Sequence, residues 1–116
     1  MRFGINLLLW TTHVTSEIES QLGFAKECGF DGVEVPLFEG DPGHYQQVGA
    51  MLDRHGLQRT CSAGLAPEHN PIDESSIVRQ AAVDRLRWAI DCAHAAGAEV
   101  LCGPLHSAFK VFSGHG

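Results

Sequence analysis

Three residues combine reactive side chains with suggestive positions. His106 stands in Gly103-Pro104-Leu105-His106-Ser107, just after Glu99–Cys102, a short run that reads as a buried strand. In parallel α/β proteins ligands are met beyond the C-terminal ends of strands. The imidazole is therefore placed to donate a hydrogen bond to a hydroxyl or to move a proton, the alternative being a histidine that braces its own loop. Glu34 lies between Val33 and Val35. If the valines pack on helices, its carboxylate points the other way, either to hold an arginine or to bind a polar substrate. Asn6, between Ile5 and Leu7, has the same placement, with a hydrogen-bonded amide as its plainer reading.

Other signals carry less. His13, His44, His55, His69, His94 and His115 share no metal-ligand spacing. Glu39 and Asp41 share a loop near the same end and make at best a weak metal site. Gly40-x-x-Gly43 lacks the pattern of a phosphate loop. Trp10, Phe109 and Phe112 flank the expected mouth, to stack on sugar carbons or simply to cap it, whereas Trp88 reads as a core residue. Cys28, Cys61, Cys92 and Cys102 form no CxxC pair, so neither a zinc ribbon nor a thioredoxin-like motif is supported. They suit small apolar core positions in a reducing compartment, and a cytoplasmic protein is expected.

The elements that must position these residues follow from periodicity. Strand patterns cover Arg2–Leu9, Val33–Val35 (closed by Pro36), Leu57–Ala63 and Glu99–Cys102. Helical patterns run from Ser16 to about Cys28, from His44 to His55 and from Glu74 to Ala96. Ser16-x-x-Glu19 offers a capping box for the first helix and Asp73 an N-cap for the third. Ile77, Ala81, Leu86, Ala89, Ile90 and Ala93 line the third helix's expected apolar face. Each helix-to-strand link is two to four residues long and carries a glycine, while the strand-to-helix loops are longer. That asymmetry is the one of a (β/α) barrel, whose long loops build the site. The fold class is therefore α/β, with parallel (β/α) units that make the first half of a TIM barrel in one partial domain, residues 1–116. Four parallel strands alone leave two bare edges, so the chain is expected to be the N-terminal half of a larger protein. A flavodoxin-like domain is the alternative, although it would normally finish with a helix.

Composition narrows the partners. The 116 residues are 44% apolar and 19% charged, with a net charge of −6 and no basic cluster, the opposite of what tracks a phosphate backbone. No apolar run reaches membrane-spanning length, and the N-terminus lacks a signal-peptide layout. A small molecule is the expected partner, rather than a nucleic acid or a membrane.

Taken in order, Gly4-Ile5-Asn6 with Trp10, Gly29-Phe30-Asp31-Gly32-Val33-Glu34-Val35, Val78-Arg79-Gln80-Ala81-Ala82 and Gly103-Pro104-Leu105-His106-Ser107 form a recognisable set. The chain resembles the sugar isomerase/epimerase superfamily of xylose-isomerase-like TIM barrels, close to the ketose 3-epimerases that act on sugars such as D-tagatose and D-psicose. The resemblance implies a ketose or related polyol as substrate and a divalent metal (Mn, Mg or Co). It also implies two glutamates that exchange a proton through an enediolate. The family's metal ligands and glutamates come from the second half of the barrel, so no catalytic or metal residue is assigned here.

What carries over is the near half of a substrate pocket: Asn6, Glu34, Ser62, Ala63, His106 and Phe109. Asn6 stands where ketohexose epimerases typically have an aromatic residue, and Val14 and Phe109 where tryptophans are common. These departures suit a more polar, phosphorylated or otherwise different polyol. Rival readings are a keto-inositol dehydratase, a hydroxypyruvate isomerase, or a non-catalytic half-barrel that dimerises through its bare edges; a homo-oligomer is expected.

Overall fold

The computed structural model describes residues 1–112, and His115 lies outside the described residues. Four strands alternate with three helices: β1 (Gly4–Asn6), α1 (Glu19–Glu27), β2 (Gly32–Leu37), α2 (Pro42–Arg54), β3 (Gln58–Ala63), α3 (Ser76–Ala95) and β4 (Leu101–Cys102). The strands pair in parallel in the order β1-β2-β3-β4. Each strand thus lies beside its successor, which is the arrangement of half a TIM barrel.

One face of the sheet carries the core. Val33, Val35 and Leu37 of β2 and Cys61 of β3 are buried with Leu22 of α1, Val48 and Leu52 of α2, and Ala89 and Cys92 of α3. Strand alternation sends Asn6, Glu34, Thr60, Ser62 and Cys102 to the opposite, open face. Burying each large aliphatic side chain contributes about 1.5–3 kcal/mol, so the valines fix the direction of Glu34 more firmly than any polar contact does.

Several boundaries differ from the sequence reading. β1 stops at Asn6, because its side-chain oxygen accepts the Leu8 N–H at 2.9 Å and turns Leu7–Leu9 into a 3-10 helix. Leu7 is buried there, but Leu8, Leu9 and Trp10 are exposed. β2 runs on through Pro36 to Leu37. β1 has already ended opposite Glu34, so the missing N–H of Pro36 costs no ladder bond on that side.

The helix starts differ as well. No capping box forms at Ser16, since the Thr15 hydroxyl accepts the Glu17 N–H and caps a 3-10 turn before α1. α2 begins at Pro42, with the Asp41 carboxylate accepting the His44 N–H at 2.8 Å. Asp73 accepts the Ser75 N–H, one residue before α3, and so shapes the preceding turn without capping the helix. The buried face of α3 is Ala82, Ala89, Cys92 and Ala93; Ile77 and Ile90 are exposed. Cys61 and Cys92 are core residues, whereas Cys28 and Cys102 are exposed.

β4 has only two residues, which makes the link before it, 96–100, five residues long, longer than the four-residue strand-to-helix loop after β2, 38–41, where the sequence pattern predicts the reverse. All three helix-to-strand links do place a glycine in the left-handed region, Gly29 at φ +92°, Gly56 at +65° and Gly97 at +78°, where side-chain-bearing residues are strained. Among the described residues no helix is long and apolar enough to cross a membrane.

Candidate functional site

The polar centre of the open face is the Glu34 carboxylate. Asn6 Nδ2 donates to Glu34 Oε1 at 2.9 Å, and Thr60 Oγ1 donates to Oε2 at 3.1 Å. Cys102 Sγ lies 3.4 Å from the same Oε2 and 3.6 Å from the Cys61 carbonyl. The register explains the convergence: Asn6 stands opposite Glu34, Glu34 opposite Thr60, and Ser62 opposite Cys102. The orientation of the Asn6 amide is fixed from both ends. Its oxygen takes the Leu8 N–H, which leaves the NH₂ for the carboxylate.

Burial raises the Cys102 thiol above its ordinary pKa, and the hydrogen bond to Glu34 and the charge of Glu34 add to the rise. Cys102 is thereby kept as a weak donor to the carboxylate. A carboxylate offers about four acceptor positions, and these three donors leave one open. The arrangement is a rigid acceptor for one further hydroxyl or N–H. An open cavity of about 440 Å³ reaches it from the N-terminal ends of the strands, away from His106 and Phe109, and is lined by Gly4, Asn6, Gly32, Glu34, Gln58 and Thr60 among others.

The remaining pocket candidates are spread out. Ser62 is partly buried on the open face, one step along β3 from Thr60. Ala63 points the other way, 8% exposed in the hydrophobic core beside Leu37; its side chain lines the helix layer, and only its backbone approaches the site. His106 and Phe109 are exposed on the loop after β4. That loop is tied to the one after β3, because the Phe109 N–H donates to the Leu65 carbonyl at 2.8 Å and the Ala108 N–H to Asn70 Oδ1 at 3.1 Å. The structure therefore brings Asn6 and Glu34 together, keeps Ser62 nearby and leaves His106 and Phe109 at the rim.

Three contributors were not picked out from sequence. Thr60 sits two residues before Ser62, so strand alternation puts it on the same face, and the register of β2 with β3 sets it beside Glu34. Cys102 suits a small core position by sequence, like the other cysteines, yet it is exposed on the open face beside Glu34. Asn70, nearly buried in a Pro-rich loop, gave no signal at all. Glu39 and Asp41 do not converge, since Asp41 caps α2 and Glu39 faces His13. Among the described residues no three His, Cys, Asp or Glu side chains come together as a metal site, and the partners of Glu34 are an amide, a hydroxyl and a thiol rather than a metal cage.

The profile of the family described as xylose isomerase-like TIM barrel matches residues 22–114. The chain is similar to a ketose 3-epimerase of Arthrobacter globiformis, with 33% identity over 113 residues, 97% of this chain and 39% of that protein. Among solved structures it is similar to a D-allulose 3-epimerase from a Methylomonas species in complex with D-allulose. There the TM-score is 0.84, with 22% identity, 98% of this chain and 40% of that one covered. An L-ribulose 3-epimerase gives a TM-score of 0.82, with 22% identity and coverage of 98% and 39%. The chain thus spans about two fifths of the length of the proteins it matches.

Proposed function

Since the chain belongs to the xylose isomerase-like TIM barrel family, we propose that it supplies the first four strands of a sugar isomerase or epimerase acting on a ketose or related polyol. The observation that carries this reading is the Glu34 acceptor, fixed by Asn6 and Thr60 on the open face of the sheet. In a closed barrel that face looks into the lumen. A carboxylate with one vacant acceptor position holds a substrate hydroxyl at a set distance and direction, which is a positioning role. Ser62 extends the polar surface toward the strand ends, and His106 and Phe109 line the rim. The reaction is proton exchange next to a carbonyl through an enediolate, as in the 3-epimerases that the chain resembles. When bound, a divalent metal would stabilise the enediolate charge; its ligands belong to the second half of the barrel. A homo-oligomer and a cytoplasmic location complete the proposal.

The test is the intact mass of the protein from its native source, followed by deuterium exchange. A mass of roughly 27 kDa or more, the size of a full barrel, together with ketose-dependent incorporation of deuterium at carbon 3 in D₂O with added Mn, supports the reading. A protein of full-barrel mass that exchanges no ketose proton overturns it.

Among the described residues the outer edges of β1 and β4 are unpaired, which favours one second reading, a non-catalytic half-barrel that closes by twofold pairing of β4 with β1 of another copy. It predicts a native mass equal to that of the 116-residue chain and a stable dimer without metal.

A further inference from the structure

Where the loop after β2 crosses α2, a cluster of rings remains unexplained by the site. His13 and His44 stack with centroids 4.3 Å apart and planes 18° from parallel, and Tyr45 meets both edge-on. His44 Nε2 donates to the Val14 carbonyl at 2.8 Å. Three successive loop carbonyls are held from below. Arg85 donates to that of Phe38, the Tyr45 hydroxyl to that of Glu39 at 2.6 Å, and Trp88 Nε1 to that of Gly40 at 2.9 Å. Gly40 rests directly on the rings, since a Cβ there would sit 3.2 Å from His13 Cε1 and 3.3 Å from Tyr45 Cε2. One buried polar atom of the cluster lacks a partner. His13 Nδ1 is buried, makes no hydrogen bond, and faces Glu39 Oε1 at 3.9 Å.

We infer that His13 and Glu39 form a proton-operated latch, in which proton uptake by the His13 ring draws in the Glu39 carboxylate and fixes the loop after β2 against α2 and α3. A neutral ring can keep its hydrogen on Nε2, whereas the protonated ring carries one on Nδ1 as well, which a carboxylate that closes the gap then accepts. The charged and titratable groups facing the pair are few. His44 and Tyr45 come from α2, Asp41 from its N-terminus and Arg85 from α3. His44 lies in the first turn of α2, where the helix dipole opposes a positive ring, and its Nε2–H is already given to Val14. Two cationic rings stacked this closely would repel each other. Tyr45, pushed up to about 12 by burial, stays neutral. Arg85 is turned to the Phe38 carbonyl and lies over the Trp88 ring at 3.8 Å. Asp41 is spent on the His44 N–H. Within ion-pair distance of His13, Glu39 is the carboxylate present among the described residues.

Trp88 reports on the latch directly, because its indole N–H is bonded to the loop it would hold. The experiment measures the hydrogen-exchange protection factor of that N–H by NMR on the ¹⁵N-labelled chain, near pH 7.5 and near pH 5.5. β2 backbone amides are followed as an internal standard for global stability. Protection at Trp88 relative to β2 is expected to rise roughly threefold or more at the lower pH. The rise should vanish in Glu39→Gln and in His13→Gln and persist in Glu27→Gln, an exposed change on α1. Glu39 is largely exposed and its backbone carbonyl still serves Tyr45, so Glu39→Gln keeps the fold. No rise in the unchanged chain, or a rise that survives Glu39→Gln, overturns the latch. Neither outcome bears on the epimerase reading, which rests on the open face.

Discussion

Asn6→Asp isolates the contact that holds Glu34 in place. The replacement keeps an oxygen where Asn6 accepts the Leu8 N–H, so the 3-10 turn at Leu7–Leu9 stays capped. What changes is the other branch, where an NH₂ donating at 2.9 Å becomes a second carboxylate oxygen facing Glu34 Oε1. A hydrogen bond to a charged group is worth about 1.5–3 kcal/mol, and this one, only partly buried, belongs near the lower end. Like charges at that distance would add a comparable cost, but the pair escapes most of it by sharing a proton. The expected loss is thus about 2–3 kcal/mol near pH 7.5. The sign with pH is definite. The folded variant holds a proton that its unfolded chain releases, so the deficit relative to the unchanged protein shrinks as pH falls toward about 4.5. Urea unfolding of both chains at the two pH values, with equal slopes as the control, measures it. A variant as stable as the parent near pH 7.5, or a deficit independent of pH, would refute the claim that Asn6 acts as a donor to the Glu34 side chain.

Two further outcomes are expected. Gly103 has φ +143°, and a Cβ there would lie 1.9 Å from the Ala63 carbonyl oxygen; Gly103→Ala should cost about 3 kcal/mol or more in urea unfolding, whereas a cost under about 1 kcal/mol would place the β3–β4 contact elsewhere. Burial pushes the Cys61 thiol up to about 12 and that of Cys92 to about 11, so iodoacetamide near pH 8 should label Cys28 first and Cys102 more slowly. Mass spectrometry should find Cys61 and Cys92 modified only in denaturant.

The order of elements was legible because hydrophobic period and glycine punctuation coincide: each helical stripe stops at a glycine and an apolar run follows. Glu34 was readable for the same reason, since two valines leave a carboxylate one direction to take. The misses have physical causes. Asn6 ends β1 by bonding a backbone N–H two residues on, a local competition that apolar content hides. Pro36 looked like a stop because the early end of β1, which frees its ring side of a partner, is a tertiary fact. Ile77 and Ile90 looked like core because the period is helical, yet α3 packs through alanines and Cys92. The Glu34 partners needed register across strands, which no single stretch contains; for Thr60 the face alone was within reach of alternation. Ala63 was counted with Ser62 although adjacent strand residues face opposite sides.

The left-handed glycines at 29, 56 and 97 divide labour between the two rims of the sheet. At their rim each joint is short and conformationally committed, so the chain enters every new strand at a predetermined residue. At the other rim the connections after β1 and β3 are long, 7–18 and 64–75, while the one after β2, 38–41, is short and held by carbonyl contacts and a few side chains. Insertions or exchanges there leave the strand ladder unshifted. Changes at the rim bearing Glu39, His106 and Phe109 accordingly leave Glu34 where it is.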